Sequence, residues 1–212
     1  MEPLKQHELS TALVDVRKAY RLLYHYQKRV LDLVQFVGDH LGFAYSGGYP
    51  KFSSPSPGNG RGKLNLWAWD WLNMYLYEFY MGKAKINHKE LALSIVIQSD
   101  TGFFDQESKT KSRIDVEKFN NPENSKTRLI VVLGYNVWNP DIFSNPNKFL
   151  TSKEDSYVYE VDDKRICAKA YDLSLFVDEQ STLKQIDDFC SFCLRSGIAI
   201  KESEEKVSIG KI

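Results

Sequence analysis

No apolar run in this sequence approaches the ~20 residues that a membrane-spanning helix needs. The opening residues 1–8 mix charge, proline and glutamine and hold no apolar core of the kind that forms a secretory leader. Cysteine is scarce. Three thiols (Cys167, Cys190, Cys193) are too few for a disulfide scaffold, and without a leader they are expected to be reduced, in the cytoplasm. Net charge is missing as well, with 28 Lys and Arg balanced by 28 Asp and Glu. A protein that coats nucleic acid needs a positive field, so here only a local basic patch could serve that role. No internal repeat or composition break divides the 212 residues, which are expected to form a single domain.

Aromatic residues are plentiful at 13%, which points to a well-filled core or an adhesive face. The clearest pattern lies at the start. Leu9, Leu13, Val16, Tyr20, Leu23, Gln27, Val30, Val34, Val37 and Leu41 alternate in steps of four and three, and only Gln27 is polar. This spacing predicts one continuous amphipathic helix over residues 6–41, ended by Gly42 and roughly 50 Å long. Its apolar face is expected to be covered by a sheet or by a second copy of the chain, so that Leu23→Asp should be costly. Residues 43–64 are rich in Gly, Pro and Ser and predict a flexible loop. Residues 66–81 are predicted as a strand with Trp67, Trp69, Trp71, Tyr75, Tyr77 and Phe79 on one face, although a helix also fits. Strands are expected at 91–98 and 129–137, and a hairpin at 157–161 and 165–171 around Asp162-Asp163-Lys164. A final helix is expected to be capped by Thr182 and Gln185, to bury Leu183, Ile186, Phe189, Cys190, Cys193 and Leu194, and to close at Gly197. A polar tail follows residue 201. Successive strands without intervening helices favour an α+β domain. Its expected form is a long N-terminal helix on a mainly antiparallel sheet, with a C-terminal helix.

The possible chemical motifs are incomplete. Cys190-Ser-Phe-Cys193 has metal-ligand spacing, but it sits inside a helix on the apolar face, where thiols pack rather than bind. Gly58-Asn-Gly-Arg-Gly-Lys63 lacks the first glycine and the Ser or Thr of a phosphate loop, leaving Arg61 and Lys63 as candidate anion contacts. Asp100-Thr101-Gly102 resembles the catalytic triplet of aspartic proteases, but no second triplet exists. Asp70, between two tryptophans, is expected on an exposed face.

Pro140-Asp141 with Asp162-Asp163-Lys164 resembles the P-D…(D/E)-x-K pattern of metal-dependent nucleases. That resemblance implies Mg or Mn held by Asp141 and Asp162, with Lys164 stabilising charge. Lys18, Arg21, His25 and Lys28 form a basic stripe on the first helix, suited to an acidic partner or a nucleic-acid backbone.

No set of residues assembles nucleophile, base and oxyanion donor. The sequence therefore reads as a non-enzymatic, cytoplasmic interaction or regulatory protein that needs no cofactor and has a protein partner or self-association. Its expected contact residues are Lys18, Arg21, His25, Lys28, Arg61, Lys63, Trp67, Trp69 and Trp71. A metal-dependent nuclease or phosphodiesterase is the alternative, and nucleic-acid binding through the basic helix face is the second.

Overall fold

The computed structural model describes residues 5–53, 68–72, 74–86, 88–105, 114–137 and 149–200. Helix α1 runs unbroken over Gln6–Leu41, as the four-three spacing predicts. Gly42 ends it in the left-handed conformation (φ 79°), and the Phe43 amide reaches back to the Gly38 carbonyl at 2.9 Å. Among the described residues six strands follow: β1 (Gly47–Pro50), β2 (Leu76–Ile86), β3 (Lys89–Gln98), β4 (Arg128–Tyr135), β5 (Ser156–Val161) and β6 (Lys164–Asp172). They form one antiparallel sheet in the order β1-β2-β3-β4-β6-β5. Helix α2 (Glu179–Arg195) closes the described chain. The architecture is α+β, with a long N-terminal helix, an antiparallel sheet and a C-terminal helix.

The central strands β3 and β4 are buried on both faces, which explains their continuous apolar runs. Leu91, Leu93, Ile95 and Ile97 share a core with Val30, Val34 and Val37 of α1 and with Ile186, Phe189 and Cys193 of α2. On the other face Val96, Ile130 and Val132 pack with Phe104, Phe149 and Leu150. Helix α1 approaches the sheet closely because residue 38 is glycine. A Cβ there would stand 2.2 Å from the Met81 methyl.

Several expectations are corrected. Residues 47–50 are a strand and not part of a loop. Gly48 makes room for the rings of Tyr77 and Tyr45, and Pro50, which cannot donate to a ladder, is tolerated on an edge strand. The rest of the predicted loop, from residue 54 on, lies outside the described residues, as does the tail after 200. The aromatic ribbon is not a continuous strand over its described residues. Ala68–Trp71 is a short 3-10 turn, and β2 starts only at Leu76. Trp69 packs among Phe52, Tyr75 and Phe119 with ring centroids 5.0, 4.7 and 5.8 Å away, and this packing overrides local strand preference. Asp70 is buried, not exposed. The cap of α2 is Asp178 with Ser181, not Thr182 with Gln185. The Asp178 carboxylate accepts from the Ser181 amide at 2.8 Å, and the Ser181 hydroxyl accepts from the Asp178 amide at 3.0 Å. Helix α2 buries Thr182, Ile186, Phe189 and Cys193, while Leu194 points outward.

Candidate functional site

Only the second half of α1 belongs to the core. Its buried residues begin at Val30, and every residue from Lys5 to His25 is exposed. Of the two covers expected for the stripe, the sheet or a second copy of the chain, the sheet serves only from Val30 onward, and Leu23 is 40% exposed in the single chain. The uncovered part is an arm of about 30 Å at 1.5 Å per residue. Along it Leu9, Leu13, Val16, Tyr20 and Leu23 continue the same apolar line that the body buries further on, with Leu13 at 45% and Tyr20 at 71% exposure. An isolated helix of this length is marginal in water, because helices in proteins draw most of their stability from packing.

At the root of the arm lies a mainly apolar cavity of about 230 Å³, lined by Leu23, Tyr26, Gln27, Trp69, Leu72 and Met74, among others. Its floor is fixed by hydrogen bonds. Ser99 donates to the Met74 carbonyl at 2.5 Å, so the Tyr26 hydroxyl is the donor in its 2.8 Å contact with Ser99. Burial raises the Tyr26 pKa, and the Ser99 bond only partly opposes this. The hydroxyl is thus a stable neutral donor. Sequence reading could flag Leu23 and Trp69 separately. It could not join them to Met74 and Ser99, which reach α1 from just before β2 and just after β3.

The basic stripe is present on the arm but partly engaged within it. Lys18 pairs with Asp15 at 3.0 Å and Lys28 with Asp32 at 2.8 Å. Arg21 stands exposed on the arm between them. His25 contacts Tyr24 edge-on and, with Lys28, Arg29 and Asp32, borders a groove of about 350 Å³ against the start of α2.

Trp69 sits in the aromatic cluster beside the apolar cavity, whereas Trp71 is 59% exposed. Arg61, Lys63, Trp67 and Asp141 lie outside the described residues. Asp162 and Lys164 flank the β5–β6 turn, both exposed, with Asp162 at a positive φ of 54°. The Asn136 amide donates to the neighbouring Asp163 carboxylate. The described residues therefore show a tight hairpin turn at this place. No group of three or more His, Cys, Asp or Glu side chains that could hold a metal gathers among the described residues. Cys167 and Cys193 share a thiol hydrogen bond beneath α2, which raises the Cys193 pKa, with burial adding to the effect. No helix among the described residues is long and apolar enough to cross a membrane.

The family model PM0109 matches residues 6–197, which takes in the arm, the sheet and α2. The chain belongs to the PM0109 family. It is 53% identical over 38 residues to the uncharacterized protein PM0109 of Pasteurella multocida (strain Pm70). That alignment spans 18% of this chain and 19% of the relative. No solved structure matches.

Proposed function

We propose that this chain is an interaction or regulatory protein that works by binding another macromolecule through the N-terminal arm of α1. One observation carries the reading: the apolar line Leu9, Leu13, Val16, Tyr20 and Leu23 is left uncovered in a protein whose sheet is packed on both faces. Contiguous exposed apolar surface of this kind marks contact sites. The cavity beside Trp69 extends that surface onto the body, and Arg21 supplies charge along its flank. The three free thiols fit a reducing compartment such as the cytoplasm.

A pull-down from the native host with wild-type protein and with the Leu13→Glu/Tyr20→Glu variant tests the reading. Capture of a macromolecule by the wild type and its loss in the variant is the expected result. Equal capture by both would place the contact surface elsewhere. Binding that survives the arm variant but disappears with Arg21→Glu/Lys28→Glu, more so at low salt, would favour a nucleic-acid backbone on the basic stripe.

A further inference from the structure

Resting on that reading of the arm, we propose that its occupant is a second copy of this chain. The two α1 arms lie antiparallel, and Leu9 of each copy seats at the cavity at the root of the other's arm.

The spacing of the exposed residues supports helix-to-helix pairing. Steps of four and three keep the apolar line facing one neighbour along the whole arm, as in a two-helix coil. Ala12 and Ala19, one heptad apart, flank the line with small side chains that let the helices close. The distribution of charge selects the direction. From residue 6 to 16 the charged side chains are the acids Glu8 and Asp15, with His7 beside them. From 17 to 29 they are Arg17, Lys18, Arg21, Lys28 and Arg29, joined by His25, with no acid before Asp32. Parallel arms would set the two basic halves side by side. Antiparallel arms lay the acidic end of each along the basic end of the other.

The cavity selects the register. With Leu13 of one copy opposite Leu23 of the other, Val16 meets Tyr20, and Leu9 arrives level with Gln27. That places the Leu9 side chain beside the opening formed by Leu23, Tyr26, Gln27 and Met74. It also brings Glu8 level with Lys28 of the second copy. The two bodies then stand at opposite ends of the paired arms.

Sedimentation velocity and light scattering on the full chain are expected to show a dimer. Leu13→Glu/Tyr20→Glu should weaken it by at least about tenfold. Val14→Glu, a similar change off the apolar line, should leave it intact. Orientation is read by disulfide trapping. Chains carrying Leu13→Cys, mixed with chains carrying Leu23→Cys, should cross-link to each other, and Leu13→Cys alone should not link to itself through that position. A chain that stays monomeric at every concentration overturns self-pairing. If such a monomer still loses a captured macromolecule on Leu13→Glu/Tyr20→Glu, the arm remains a contact surface and only the second copy is excluded. Self-linkage of Leu13→Cys overturns the antiparallel arrangement.

Discussion

At the scale of single residues, Arg128 stands out. It is 1% exposed, at the start of β4 on the sheet face opposite the helices. Its guanidinium donates to Gln98 Oε1 at 2.9 and 3.0 Å and to the carbonyls of Phe149 and Glu154 at 3.0 and 2.9 Å. Gln98 in turn donates to the Leu150 carbonyl at 2.8 Å. A fork of fixed donors thus ties the 149–154 segment to β3 and β4, which a lysine could not reproduce. Arg128→Ala would leave several carbonyl oxygens without donors and open a cavity. It should cost about 3 kcal/mol or more by urea denaturation. Asp188 makes a smaller contribution that depends on pH. Partial burial would raise its pKa, but hydrogen bonds from Lys169 and Tyr171 outweigh this and hold it below the ordinary value of 3.8. Its contribution is therefore complete above that value and is lost as pH falls through the lower folded-state value. An acid titration of stability should lose part of its slope below about pH 4 in Asp188→Asn. An unchanged acid limb would show that other carboxylates set it.

At the scale of the element, α1 is one helix with two environments. Val34 is 4% exposed and packs in the main core, while Leu23 occupies the same apolar line outside it. Val34→Asp should cost about 3–5 kcal/mol, because a carboxylate enters a core with nothing to receive it. Leu23→Asp should change the unfolding of the body little. Parallel urea melts of the two variants, at a concentration where the chain is monomeric, check this, and equal losses there would mean that the arm is covered within the single chain. Here the sequence was legible in one respect only. The four-three spacing specifies which face of α1 is apolar, but not where along its length the sheet ends. The Gly38 contact with Met81 and the aligned strands decide that. The cap of α2 went unread for a related reason. Asp178-x-x-Ser181 and Thr182-x-x-Gln185 are both plausible starts, and the packing of Phe176 and Ile186 in the core selects the first.

At the scale of the whole molecule, the arm is the feature that makes an assembly the natural question. A sheet packed on both faces leaves little apolar surface at its centre, whereas α1 carries a row of it beyond the body. The aromatic residues illustrate how far sequence could lead. Their abundance announced a filled core or a contact face, and both occur: Trp69 joins Phe52, Tyr75, Phe103 and Phe119, and Tyr20 and Trp71 face outward. Which ring does which depends on contacts between residues far apart along the chain. By itself, the sequence determined the length and apolar line of α1, the buried central strands, the β5–β6 turn and the α+β class. Each of these is written locally: the helix in its four-three period, the central strands in continuous apolar runs, and the turn in the polar triplet Asp162-Asp163-Lys164. Only the tertiary structure decided that Arg128 and Asp70 are buried, that residues 47–50 add an edge strand, and that half of α1 stands free with a cavity at its root. Burial depends on what the rest of the chain brings to a given place, and no local period records that.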